Sequence, residues 1–290
     1  MFNGALSAIV TPFRDGEVDE RALRDHIEWQ IQSGIDGIVP CGSTGESATL
    51  THAEHGRVIK ITIEQTRRRV PVVAGTGSNA TAEAIRLTSA AREMGADGAL
   101  LLSPYYNKPT QEGIFRHFKM IAAAADLPLI VYNIPGRTAS NVAPETFARL
   151  CEIRNIVGIK EASGSMEQVS DIRRLCGDRL TILSGDDALT VPIMALGGKG
   201  VIATTSNIMP REMHDLAAAG LAGDFVRARE IHYKIIPVVR NLFTETNPIP
   251  LKQALAFMGR CANELRLPLC PMSAAAAEKL KGAMKELKLI

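Results

Sequence analysis

The chain has 290 residues, 46% of them hydrophobic, and a formal net charge of +2. That length and composition fit a globular protein with a sizeable core. The near-zero charge excludes the strong basic field of a nucleic-acid or membrane-surface binder, so neither partner is expected. No segment approaches the roughly 18 uninterrupted apolar residues of a membrane span.

The start, Met1-Phe2-Asn3-Gly4-Ala5-Leu6, lacks the basic beginning and long apolar stretch of a signal peptide. The cysteines, Cys41, Cys151, Cys176, Cys261 and Cys270, are odd in number and form no CxxC pair. They read as reduced thiols, and a cytoplasmic location is expected.

Short apolar runs then alternate with amphipathic stretches. Strand Ala5–Thr11 precedes helix Glu20–Ser33, and strand Gly37–Cys41 precedes helix Thr51–Arg68. Arg67-Arg68-Arg69, at the end of that helix, complements the helix dipole. Strand Val70–Gly75 leads to helix Thr81–Met94, Gly98–Ser103 to Gln111–Ala124, and Leu127–Asn133 to the strand Val157–Glu161. Helix Met166–Leu175, strands Leu180–Ser184 and Gly200–Ala203, and helix Pro210–Ala219 follow. Strand–helix alternation implies a parallel sheet, and eight units fit a closed (β/α)8 TIM barrel better than an open sheet. An open sheet would usually carry a glycine-rich phosphate turn after its first strand; Val10-Thr11-Pro12-Phe13 is not one. From about residue 223 the strands stop. Asp224–Asn241, Pro250–Asn263 and Ser273–Leu289 read as consecutive helices. The expected organisation is an α/β barrel over 1–222 and a C-terminal helical appendage over 223–290, packed on the barrel or forming an oligomer contact.

Active sites of such barrels lie at the C-terminal ends of the strands. Lys160 ends the run Ile156-Val157-Gly158-Ile159, where an ammonium must be solvated, paired or used. Desolvation yields a neutral amine, which can form a Schiff base with a carbonyl. The plain alternative is a lysine whose head group reaches water. Strand alternation points Lys160 inward with Gly158 and Ile156, and Val157 and Ile159 toward the helices. Tyr132 ends the preceding strand and can relay a proton, and Arg137 in the following loop offers a planar fork for a carboxylate. Gly42-Ser43-Thr44-Gly45-Glu46-Ser47 presents backbone N–H groups and two adjacent hydroxyls, or is an ordinary helix cap. Tyr105-Tyr106 suits a pocket wall or a subunit contact. There is no metal-ligand spacing and no Walker loop.

In order and spacing, Gly42-Ser43-Thr44-Gly45-Glu46, Tyr105-Tyr106-Asn107, Tyr132-Asn133-Ile134-Pro135-Gly136-Arg137-Thr138 and Gly158-Ile159-Lys160-Glu161-Ala162 resemble the dihydrodipicolinate synthase family over the whole chain. That family lies among the pyruvate-dependent Schiff-base aldolases and lyases. The resemblance implies that Lys160 forms an imine with pyruvate and that the enamine attacks L-aspartate 4-semialdehyde. The product would be 4-hydroxy-tetrahydrodipicolinate, on the route to diaminopimelate and lysine. It implies a proton relay of Tyr132, Ser43 and Tyr106, with Tyr106 supplied by a neighbouring subunit of a homotetramer built as a dimer of dimers. Backbone N–H groups of Ser43 and Thr44 would hold the pyruvate carboxylate, Arg137 the second carboxylate, and Gly185 and Ile202 would line the site. No cofactor beyond the covalent Schiff base is implied. Ser47, Ala48, His52, His55, Asn79, Glu83 and Tyr105 resemble the L-lysine inhibitor site of feedback-inhibited members. For His52 and His55 alone, an i,i+3 surface pair is the simpler reading. Ser43 departs from the family's usual threonine: the hydroxyl stays, but its rotamer is less restrained. The competing readings are a sialic-acid or keto-sugar-acid lyase of the same group, which would leave Arg137 without a carboxylate, and a non-catalytic keto-acid-binding regulator.

Overall fold

The computed structural model describes residues 2–290. Its parallel strands are β1 (Gly4–Ala8), β2 (Gly37–Val39), β3 (Val73–Gly75), β4 (Gly98–Leu102), β5 (Leu129–Asn133), β6 (Ile156–Glu161), β7 (Thr181–Ser184) and β8 (Gly200–Ala203). They pair in the order β2-β1-β8-β7-β6-β5-β4-β3. A parallel bridge between Ile38 and Val72 joins the two ends and closes the barrel.

The outer helices are α1 (Glu20–Gln32), α2 (His52–Thr66), α3 (Thr81–Met94), α4 (Gln111–Ala124), α5 (Pro144–Leu150), α6 (Met166–Cys176), α7 (Thr190–Ala195) and α8 (Pro210–Leu221). Several starts are fixed by side-chain caps. Asp19 accepts from Ala22 N, Thr110 from Gly113 N and Ser165 from Gln168 N. Thr51 and Glu54 form a reciprocal capping box at α2. Each cap contributes about 1 kcal/mol. The sequence reading named neither α5 nor α7. Both are short, and too few turns are present for a 3.6-residue period to stand out.

Strand alternation sends one side chain set inward. Leu6, Ala8, Val39, Val73, Leu100, Ile130, Tyr132, Leu183 and Ile202 fill the barrel centre. The opposite set packs under the helices. One expectation fails here. Leu129 pairs with Ile156 but Ile130 pairs with Gly158, so the register shifts by one residue. Ile156 therefore joins Ile159 under the helices, and Val157 packs on the inner cluster. The simple alternation placed these two residues the wrong way round, because a bulge inserts one residue and resets the parity. Beyond the bulge, Gly158 and Lys160 point inward as expected.

The tail contains α9 (Phe225–Leu242), α10 (Ile249–Phe257) and α11 (Ala274–Glu286). Its apolar residues Ile235, Leu251 and Met284 share one buried cluster with Ile27, Ile38 and Met213 of the barrel. Among the described residues, no helix is long and apolar enough to cross a membrane.

Candidate active site

Lys160 is 6% exposed, and among the described residues its amine makes no hydrogen bond or ion pair. Its Nζ lies 4.3 Å from the centroid of the Tyr132 ring, in cation–π range. Tyr132 and Lys160 face each other across paired strands. Desolvation lowers the lysine's pKa to about 8; the Asp187 carboxylate pulls it up and the Arg137 guanidinium pushes it down. With that value, about one amine in ten is neutral at pH 7, against about one in three thousand at a lysine's ordinary 10.5. The same burial raises the Tyr132 phenol above its ordinary value, so it stays protonated and can donate.

Gly185 follows β7 at the level of the amine. A Cβ there would sit 3.0 Å from Lys160 Cγ, 3.1 Å from its Cε and 2.8 Å from Ala162 Cβ. Only glycine leaves the lysine chain its present path. Ile202 closes the barrel centre beneath the site, 1% exposed.

Thr44 is buried, and its Oγ1 accepts from Asn247 Nδ2 at 2.9 Å and lies 3.4 Å from Thr204 Oγ1. Ser43 lines the loop cavity described below. Arg137 is exposed at the mouth, where its Nη2 donates to the Asn247 carbonyl at 3.1 Å. Tyr106 is 88% exposed with a left-handed backbone, φ 72°. Among the described residues, no hydrogen bond links Tyr132, Ser43 and Tyr106, so this single subunit does not assemble the expected relay.

The second residue set converges on a cavity of about 500 Å3, lined by Ser47, Ala48, His52, His55, Glu83 and Tyr105, and also by Ser43 and Arg137. Lys160 and Tyr132 do not line it; they lie deeper in the barrel. Asn79 stands behind the wall, its Nδ2 donating to the Tyr105 carbonyl at 3.2 Å. Glu83 is held by Ser78 Oγ at 2.5 Å and by His52 Nε2 at 3.1 Å. The two histidines are no surface pair. His52 is exposed, whereas His55 is 8% exposed with Nε2 2.9 Å from the Gly75 carbonyl. Desolvation lowers the pKa of His55, which favours its neutral ring.

Three neighbours escaped the sequence reading. Asp187 is 2% exposed, and its carboxylate accepts from Thr205 N at 2.6 Å and Thr204 N at 3.2 Å. Desolvation raises its pKa, opposed by the hydrogen bonds from Thr205 and by the Lys160 charge. Its signal was available: Asp186-Asp187 stands just past Ser184-Gly185, at the reactive end of β7. Thr204 follows β8 in the same way. Asn247 carried no signal; it lies in the tail, 203 positions from the threonine it contacts.

The model of the dihydrodipicolinate synthetase family matches residues 1–287. The 4-hydroxy-tetrahydrodipicolinate synthase of Syntrophus aciditrophicus (strain SB) is 58% identical over 290 residues, covering 100% of both chains. The chloride-inhibited dihydrodipicolinate synthase from Acinetobacter baumannii, solved in complex with pyruvate, superposes with a TM-score of 0.98 at 45% identity over 100% of both chains. The enzyme from Cyanidioschyzon merolae, solved with lysine bound, gives a TM-score of 0.97 at 40% identity over 100% of this chain and 99% of that one. The chain belongs to the dihydrodipicolinate synthetase family, within the pyruvate-dependent Schiff-base aldolase class.

Proposed function

We propose that the protein condenses pyruvate with L-aspartate 4-semialdehyde through a Schiff base on Lys160, giving 4-hydroxy-tetrahydrodipicolinate for diaminopimelate and lysine synthesis. The observation that carries this reading is the buried, unpartnered Lys160 amine, whose pKa is lowered to about 8. Its neutral form adds to the pyruvate carbonyl, and loss of water gives the iminium. Loss of a methyl proton gives the enamine, whose carbon attacks the aldehyde. The semialdehyde's own amine then attacks the imine carbon, closes the ring and frees Lys160.

Each proton transfer needs a group that donates and then accepts. Tyr132 beside the amine, with Ser43 and a Tyr106 from a neighbouring subunit, fills that role. The exposed Tyr106 fits such a shared site, and a homotetramer is the assembly proposed. Backbone N–H groups of Ser43 and Thr44 receive the pyruvate carboxylate, and Arg137 at the mouth receives the second one. Gly185 and Ile202 shape the space around the imine. Residues 1–222 carry the chemistry, and residues 223–290 form the appended segment. The pyruvate complex of the Acinetobacter baumannii relative supports the first half-reaction.

L-Lysine is the inhibitor proposed for the cavity beside the site. Glu83 would meet its ammonium and Tyr105 its carboxylate, with Asn79 holding the Tyr105 backbone from behind. The lysine-bound Cyanidioschyzon merolae relative supports this reading. Cytoplasmic action follows from a soluble biosynthetic role.

Borohydride reduction in the presence of pyruvate, followed by peptide mass mapping, tests the mechanism. The expected result is one adduct, on Lys160; an adduct elsewhere, or none, overturns it. Rates with L-aspartate 4-semialdehyde against sugar aldehydes test the second substrate. Full activity at saturating L-lysine would remove the inhibitor site.

A further inference from the structure

The Gly42–Ser47 loop is held from outside the barrel wall. Glu46 in this loop is 3% exposed and left-handed, with φ 52° and ψ 37°. Residues with a Cβ adopt that backbone reluctantly, so something must hold it. Its carboxylate forms an ion pair with Lys252 of α10, the two side chains being 1% and 0% exposed. Lys252 Nζ also donates to the Glu264 carbonyl at 2.7 Å and lies 4.0 Å from the Phe13 ring centroid. Glu46 Oε2 accepts from Arg266 N at 3.2 Å. Inside the loop, Glu46 N donates to the Ser43 carbonyl at 3.2 Å. A second tie joins Asn247 to Thr44 at 2.9 Å. The tail thus grips the loop at Thr44 and at Glu46, on either side of Gly45.

A fully buried ion pair adds little stability over an apolar pair of similar volume, because desolvation offsets the attraction. What it does supply is direction: each charge can be satisfied in only one place. The neighbouring backbone is the part of the loop that meets the keto acid in the proposed function, on which this inference rests.

We propose that Glu46 and Lys252 form a positioning clamp, through which the C-terminal helices set the Ser43–Thr44 backbone to receive the carboxylate of a 2-keto acid. The clamp gives the tail a part in substrate binding as well as in packing.

The double substitution Glu46→Gln with Lys252→Met removes both charges and nearly keeps both volumes. Its amide oxygen at position 46 still accepts from Arg266 N. The clamp predicts a folded protein whose half-saturating pyruvate for borohydride trapping rises roughly tenfold to a hundredfold. The trapping rate at saturating pyruvate stays unchanged, a split that a merely structural pair would not produce. Unaltered half-saturation overturns the clamp and leaves the Lys160 mechanism standing. Should the double variant not fold, Glu46→Asp keeps the charge and shortens its reach; raised half-saturation supports the clamp and an unaltered value overturns it. If the unsubstituted protein traps no pyruvate, the proposed function fails. The clamp is then decided by amide hydrogen exchange over residues 42–50: faster exchange in the variant supports it, equal exchange overturns it.

Discussion

Two buried lysines separate the chemistry of the barrel centre from that of the barrel–tail seam. Lys160 and Lys252 are 6% and 0% exposed, and burial pushes both amines toward the neutral form. They differ in partners. Lys252 has a carboxylate, a carbonyl and an aromatic face. Lys160 has only the Tyr132 ring and the more distant Asp187 and Arg137. A paired buried charge locates; an unpaired one reacts. The fold keeps the Lys252 charge where it fixes a loop and weakens the Lys160 charge where the proposed Schiff base needs a neutral amine.

Removing each lysine in turn should break this comparison if it is wrong. The largest effect is expected for Lys160→Met: turnover falls on the order of 10^3-fold or more, since no other group supplies the imine nitrogen. Steady-state assay and loss of the trapped adduct check it. Next, Lys252→Met alone should destabilise the protein by roughly 3–5 kcal/mol in urea unfolding, because the Glu46 charge is left buried without its partner. A neutral or stabilising result would show that Glu46 finds another partner and that the seam is not built as described.

The third expectation has the opposite sign. Unfolded, Lys160 holds its proton up to a lysine's ordinary 10.5; folded, it releases it near 8. Below pH 8 both states are protonated, and burial of the cation costs the fold about 3 kcal/mol. Between pH 8 and 10.5 the unfolded chain binds more protons, so this contribution to stability recovers as pH rises. Lys160→Met should therefore stabilise the protein by about 3 kcal/mol at pH 7 and flatten the slope over that window. Denaturant unfolding at several pH values measures both. The smallest effect concerns rate: trapping at fixed pyruvate should rise about tenfold from pH 6 to 7 and level off above pH 8, following the neutral amine. A flat profile would mean that the amine is already neutral at pH 6, sharpening the contrast with Lys252.

Much of the catalytic end was readable from local pattern. Lys160 and Tyr132 lie at the ends of apolar runs, and such ends are the reactive face of a closed barrel; Gly185 came only with the family resemblance. The bulge at Val157 was not readable, because alternation counts residues and cannot register one that leaves the ladder. His52 and His55 share a helix start, yet one faces solvent and the other Gly75, a choice made by the neighbouring strand.

Local pattern set the order of strands and helices, and motif spacing pointed to the family and to Lys160 as the proposed nucleophile. Periodicity and strand ends are short-range properties, set by which face of an element must leave water. Which groups stand beside Lys160, and which tail residues hold the loop in front of it, depends on the closed fold. Asn247 reaches Thr44 and Lys252 reaches Glu46 across long stretches of chain. Such contacts leave no mark on local composition. They arise when the barrel closes and the tail folds over its mouth, where a desolvated charge is satisfied only by what the fold has brought beside it.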